Sequence, residues 1–461
     1  MKFLSGTPMI FEPFLTKAST RLTIFASIFL AALTFVMVTA PARAATIIRD
    51  PDIEYSLAQL AKPILAAAGL GSNVRVLVID DNKLNAFVVD NRHIFLHSGL
   101  ILKTDNAAML QAVIAHEAAH IANGHITRRM QNFGSARTAA SLGSVLAAVA
   151  GAAAGNPELG VGLALGVNSS AQRNFLAHTR AEEASADKSA LRYMKAARVN
   201  TQGTIDVLEL FEGQELLNTS RQDPYVRSHP LTRDRIRAAK AGAQALVQDG
   251  DEDATAQYWF GRAKGKLSAF ERPPKWTKRT LKTSPSKDVR LMREAIMYHR
   301  QSQKSKAIAA LDQAIAMRPR DPFLYELKGQ ILIESRDQQG ALRAYKRAAD
   351  LAPNNSLCLG GYGRALLSLK RYKEARAVLE KARSIDFRDS RVLRDLGAAY
   401  AALGNRGMAA VATAERYALQ GRMKDAGIHA KRAVGLLPQG SAGWRRADDI
   451  LLAAKRAARK K

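Results

Sequence analysis

The stretch QAVIAHEAAHIANGH, residues 111–125, holds residue types at a spacing that can do chemistry. On an α-helix, side chains four apart lie on nearly the same face. His116 and His120 therefore offer two imidazoles to one metal ion, with Glu117 beside them. H-E-x-x-H is the signature of hydrolysis at zinc, in which the metal acidifies a water and the glutamate takes its proton as general base. Leu110, Val113, Ile114 and Ile121 form an apolar stripe adjoining the histidines, which predicts a helix and sets the metal at a buried edge. A surface helix with two chance histidines is the plainer alternative, and that stripe argues against it.

Such a site needs a third protein ligand. A third histidine at H-E-x-x-H-x-x-G-x-x-H spacing is excluded, because those positions hold Asn123 and Ile126. His125 is one position short and, on an unbroken helix, points about 180° away from His116; a packing or hydrogen-bonding role is expected for it. The segment TRAEEASADKSALRYM, residues 179–194, supplies carboxylates instead. Glu183 and Asp187 are four apart on an expected helix, with Glu183 the candidate ligand and Asp187 placed to orient a ligating imidazole. Glu182 is expected to face solvent. Ser228-His229-Pro230 reads as a loop whose histidine projects from extended backbone, because proline disfavours helix in the residue before it.

The elements that position these residues follow from periodicity. Residues 46–70 read as an amphipathic helical lead-in, with Asp105 as N-cap of the later active-site helix. Between them, NVRVLVI, LNAFVV and HIFLHSGLI read as strands separated by Asp and Asn turns, giving a small sheet before that helix. One edge of the sheet could pair with an extended substrate. Thr138 to Pro157 is free of charge apart from its surroundings and rich in Ala and Gly; a helical flap near the site is expected, with membrane-surface contact as a second reading.

After a basic linker at 251–287, a 34-residue period appears. Ala307, Ala341 and Ala375 align, as do Ala314, Ala348 and Ala382, with Pro319 and Pro353 closing two units and Gly329 and Gly363 at the small position of the first helix. These are tetratricopeptide repeats, expected over 288–452, with an irregular cap at 415–437 and a frayed basic tail at 453–461. Stacked helix pairs of this kind bind partners on a concave surface.

The chain has 461 residues, enough for two or three domains, and 47% hydrophobic residues, enough for packed cores. Lys2, Lys17 and Arg21 precede an uncharged apolar run and the small-residue site Ala42-Arg43-Ala44. Residues 1–44 are thus expected to be a cleaved signal peptide, with the protease domain over 45–250; an uncleaved inner-membrane anchor is the alternative. Cys358 is the single cysteine, so neither an intramolecular disulfide nor a thiolate metal site forms. The net charge of +28 points to anionic partners, and no nucleic-acid module accompanies it.

HEAAH, followed by Arg180, Glu183, Ala186 and Asp187, and then by His229, Pro230 and Arg235, resembles the membrane-associated gluzincins, the group that includes the HtpX and CAAX-prenyl proteases. With its leader and repeats the chain is most similar to periplasmic BepA-type enzymes of that group. The resemblance implies an α+β, mainly α fold: a gluzincin-type protease domain with a small sheet, then an all-α repeat solenoid. It implies one zinc ion held by His116, His120 and Glu183, with Glu117 as general base. It also brings His229 and Arg235 near the metal, His229 either filling the fourth position and holding the enzyme inactive or stabilising the oxyanion. Ala119 departs from the glycine that the family commonly has there. The implied function is a periplasmic endopeptidase acting on misassembled outer-membrane proteins, with the β-barrel assembly machinery as a partner of the repeats. The alternative is a repeat-based assembly chaperone or adaptor with a largely self-inhibited protease domain.

Overall fold

The computed structural model describes residues 46–133, 179–218, 221–247 and 253–459. The leader and the 138–157 stretch lie outside the described residues. In chain order, the protease-side elements are β1 (Thr46–Ile48), α1 (Pro51–Ala67), β2 (Arg75–Asp80), β3 (Ala86–Val88), β4 (His93–His97), α2 (Ser98–Lys103), α3 (Ala107–Ala122), α4 (His125–Phe133), α5 (Arg180–Ala196), α6 (Gln202–Leu210), α7 (Pro224–Ser228), α8 (Arg233–Gln244), α9 (Ala254–Glu271) and α10 (Pro274–Thr280).

The expected lead-in helix begins later than its periodicity suggests. Asp50 caps it, its carboxylate accepting from the backbone N–H groups of Asp52 and Ile53 at 3.0 and 2.9 Å, and Pro51 takes the first helical position. The three residues 46–48 ahead of it pair with β2 instead. The sheet runs β1-β2-β4-β3, with β2 and β4 parallel and the outer pairs antiparallel. Alternation then sorts the side chains. Val76, Val78, Ala86, Val88, Ile94 and Leu96 join the helical core, whereas Leu77, Ile79, Phe87 and Phe95 cluster on the opposite face. The last strand stops at His97; its expected continuation, SGLI, starts α2.

Helix α3 is buried on nearly every face, from Leu110 and Val113 to Ala118 and Ile121. Its N-cap is Asn106, not Asp105: the Asn106 side-chain oxygen accepts from Met109 N–H at 2.9 Å, while the Asp105 side chain is largely exposed. The stretch expected to be a linker is likewise structured. Ala256, Phe260, Ala263 and Leu267 put α9 into the same core as α1 and α3, and the basic Arg262 and Lys266 are buried with them, paired with Asp52 and Asp50.

The repeats are antiparallel pairs: α11 (Lys287–Arg300) with α12 (Lys304–Met317), α13 (Pro322–Glu334) with α14 (Gln338–Leu351), α15 (Ser356–Ser368) with α16 (Tyr372–Ile385), and α17 (Ser390–Ala402) with α18 (Arg406–Leu419). All six aligned alanines are fully buried. The glycines are needed for contact between helices: a Cβ on Gly329 would lie 2.7 Å from the Tyr345 ring, and one on Gly363 would lie 2.5 Å from Leu379. The expected irregular cap is regular, with α19 (Met423–Leu436) and α20 (Ala442–Arg459) continuing the stack through buried Ala426, Ala430 and Ala433. The basic tail is helical as far as Arg459.

Charge pairs join the repeats to the N-terminal core. Arg262 of α9 bonds Asp52 of α1 at 2.6 Å and Asp321 ahead of α13 at 2.5 Å. Asp386, beyond α16, accepts from Arg49 at 2.9 Å and Arg75 at 3.0 Å. Burial by itself would raise the pKa of Asp386, but those two arginines outweigh it and hold it at about 2. A depressed carboxylate pKa stabilises the fold above its unfolded value and loses that contribution as pH falls through the folded one. The chain should lose about 2 kcal/mol between pH 4 and pH 2 from this group. Urea titrations of the parent and Asp386→Asn should show that acid-side loss shrink in the variant.

Candidate active site

Three chain segments converge on the buried side of α3. The helix supplies His116, Glu117 and His120, of which Glu117 and His120 are fully buried. Helix α5 supplies Glu183 and Asp187. Its start is fixed by a capping box in which Thr179 and Glu182 satisfy each other's backbone N–H groups. Glu182 is thus only partly exposed, and it pairs with Arg129 at 3.1 Å, so the expectation that it faces solvent fails. The third segment ends α7 at His229, held in non-helical backbone ahead of Pro230 and fully buried. Helix α8 adds Arg235.

His116, His120, Glu183 and His229 each offer one ligand atom, all within 4.8 Å of one another. The Nε2 atoms of His116 and His120 are 3.1 Å apart. Glu183 lies 3.4 Å from His116 Nε2 through Oε2 and 3.3 Å from His120 Nε2 through Oε1. His229 Nδ1 lies 3.3 Å from His116 Nε2 and 3.0 Å from Glu183 Oε1. A tetrahedral ion with bonds of about 2 Å spaces its ligands by about 3.3 Å, so these atoms match the corners of such a site.

Charge supports the same fit. Glu117, Glu183 and Asp187 against Arg235 leave two negative charges when the histidines are neutral, which a divalent cation balances. The demand for positive charge shows on His116. Burial disfavours its protonated form, yet hydrogen bonds to Asp187 and Glu183 outweigh burial and push its pKa up to about 10. Burial would raise the Glu183 pKa, but His229, His116 and His120 hold it well below the carboxylate range. The Glu183 Oε2 atom sits 2.7 Å from Arg235 Nη1 without an aligned hydrogen bond, so its lone pairs stay available.

Glu117 is not in the ligand group. Both of its oxygens are buried without a hydrogen-bond partner, and burial raises its pKa, partly offset by His229 and His116. His229 Nε2 lies 3.4 Å from Glu117 Oε1 without making a hydrogen bond, and a water between the carboxylate and the ligand atoms would supply one.

Behind the ligand atoms, Asp187 Oδ1 lies 3.0 Å from His116 Nδ1 and is gripped by Arg235 at 2.7 and 3.0 Å. The orienting role expected for Asp187 therefore has its geometry, and Arg235 meets the cluster through Asp187 and Glu183. His120 Nδ1 faces His125 Nδ1 at 2.9 Å. An unbroken helix would set His125 on the face opposite His116. Gly124, at φ +69°, ends α3 and starts α4, which swings His125 back to His120. Asp187→Asn should weaken metal affinity roughly 10–100-fold, measured by competition with a chromophoric chelator.

Sequence reading missed Tyr225 and Phe211. Phe211 stacks on Tyr225 at 4.9 Å between centroids, and Tyr225 packs on His229 at 4.6 Å. Tyr225 N–H donates to Leu84 O at 3.2 Å, and His229 Nε2 lies 3.4 Å from Ala86 O. The His229 segment thus runs along β3, the edge strand nearest the ligand atoms. Tyr225 sits in a five-residue helix and Phe211 just past the end of α6, where no periodic signal marks either.

Comparison with known proteins agrees with this geometry. A model of peptidase family M48 matches residues 48–243, and two tetratricopeptide-repeat models match residues 293–356 and 332–403. The beta-barrel assembly-enhancing proteases of Escherichia coli (strain K12) and Shigella flexneri are each 24% identical over 396 residues, covering 83% of this chain and 79% of theirs. The protein of the same name from Yersinia pestis is 25% identical over 206 residues, 44% of this chain and 41% of its own. With that match over the cluster and the repeats behind it, the chain is a metalloprotease that carries a peptidase family M48 domain followed by tetratricopeptide repeats.

Proposed function

We propose that this protein is a zinc endopeptidase of the periplasm that cleaves misassembled envelope proteins, its repeats holding the client or a partner such as the β-barrel assembly machinery. The observation that carries the reading is the convergence of His116, His120 and Glu183 with the buried Glu117 carboxylate beside them, its oxygens without a hydrogen bond. Imidazole and carboxylate donors in a four-cornered site suit zinc. Zinc held there would acidify a water to a pKa of roughly 7 and polarise the scissile carbonyl.

The chain's own residues do the rest. Glu117 takes the proton of the attacking water and passes it to the leaving amine. Asp187, held by Arg235, fixes the His116 ring with Nε2 toward the centre, and His125 does the same for His120. The β3 edge gives an extended client main-chain hydrogen bonds that do not depend on its sequence. The relatives' name supplies the client class: proteins that assemble into β-barrels. Purified chain should cleave an unfolded outer-membrane barrel protein and casein with zinc, and stop on chelation. Cleavage that survives complete metal removal would overturn the proposal.

A second reading has its own observation. His229 Nδ1 lies at the fourth corner, and its segment already contacts the Leu84 and Ala86 carbonyls along β3. An enzyme in this arrangement is self-inhibited and acts through its repeats as an assembly chaperone or adaptor until the segment withdraws. Assembly of barrel proteins in cells carrying Glu117→Gln separates the two: continued assembly supports the adaptor, and failure supports the protease.

A further inference from the structure

We propose that a cleft between the protease core and the turns of the repeats binds a peptide that ends in an aromatic residue with a free carboxylate. The cleft encloses about 740 Å³ and is floored by rings from both sides. Tyr55 of α1 meets Trp259 of α9 edge to face, 5.3 Å between centroids at 72°, and lies 5.0 Å from Phe323 in the first turn of α13. Tyr55 is 41% exposed. A floor of tilted rings with one face open accepts another aromatic ring in the same packing, and the volume is that of a small-ligand or peptide-anchor pocket.

The rim is cationic. Arg318 and Arg320 stand on it, both exposed, and the N-termini of α13 and α15 open toward it through their caps, Asp321 and Asn355. Helix N-termini carry partial positive charge and favour anions. Asp321 is the only acidic side chain lining the cleft, and its charge is already committed. One oxygen accepts from Phe323 N–H at 3.0 Å, and the other pairs with Arg262 at 2.5 Å. Arg318 pairs with Asp288 through Nε, and its guanidinium lies over the Tyr258 ring, 4.5 Å from the centroid. With Asp321 and Arg318 each committed to a partner, an anion entering the cleft meets the exposed Arg320 guanidinium above an aromatic floor.

The occupant follows from that pairing. In an extended chain, neighbouring side chains point to opposite faces and those on one face are about 7 Å apart, so an internal aromatic residue and acid present the ring and the charge as a wider pair. A terminal aromatic residue presents them close together, because the ring and the carboxylate belong to the same residue. Nothing in this site draws on the metal ligands, so it stands or falls apart from the hydrolytic reading.

The test uses the full chain with Glu117→Gln, to prevent cleavage, and a fluorescein-labelled ten-residue peptide ending in phenylalanine. Fluorescence anisotropy should show saturable binding. Amidating the terminus, replacing the terminal phenylalanine with alanine, or introducing Arg320→Glu or Tyr55→Ala in the protein should each raise Kd at least tenfold. The two peptide changes leave the protein untouched, so misfolding cannot mimic the result. No saturable binding up to millimolar peptide, or full affinity retained in any one of the four comparisons, overturns the proposal.

Discussion

Glu117→Gln should lower peptide hydrolysis by about 10³-fold while leaving metal content unchanged. The side chain is fully buried and the amide has nearly its volume, so the helix and its packing have no reason to move. The amide cannot take a proton, and the neighbouring groups are already committed: His229 turns Nδ1 to the ligand atoms and Nε2 to Glu117 and Ala86 O, and Asp187 is held between His116 and Arg235. Stability should hold or rise. The native carboxylate is buried without a hydrogen-bond partner, so exchanging a charge for a neutral amide removes a desolvation cost. Turnover of a quenched fluorescent peptide, metal analysis and a thermal melt of the same preparation check all three parts. Activity within tenfold of the parent would remove Glu117 as the base.

His229→Ala should act in the opposite direction, raising turnover of extended substrates about tenfold or more. With Nδ1 at the fourth corner, the histidine competes with water and substrate for the same position. A closed population of 90% would hide a tenfold gain. The substitution also removes the Nε2 contact to Ala86 O of β3, which frees the edge an incoming strand needs, along with the contacts to Glu117 and to the Tyr225 ring. Losing a ligand atom should at the same time loosen the metal, so chelator competition should show faster release. A fall in turnover with metal occupancy intact would instead give His229 a part in stabilising the transition state.

Local chemistry made much of the site readable. Two histidines and a glutamate at helical spacing fix their own relative positions once the helix exists, and Glu183 and Asp187 are related in the same way. The repeats were legible because their buried alanines recur at a fixed interval. What stayed hidden depends on tertiary placement. His125 returns to His120 only because Gly124 breaks the helix, and Tyr225 matters only because α7 lies beside β3. Helix α9 reads as a linker because basic residues suggest a solvated segment, whereas Arg262 and Lys266 are buried against Asp52 and Asp50 at the start of α1. Asp105 and Asn106 are equally good caps in sequence, and only the backbone decides that Asn106 reaches Met109 N–H.

Metal stoichiometry across ligand variants tests the central claim most directly. Elemental analysis of the purified full chain should find one divalent ion per chain, lost in His116→Ala, His120→Ala and Glu183→Ala and kept in Glu117→Gln. If Glu183→Ala retained its metal, or the parent chain took up none when zinc was supplied, the four converging side chains would not be a metal centre.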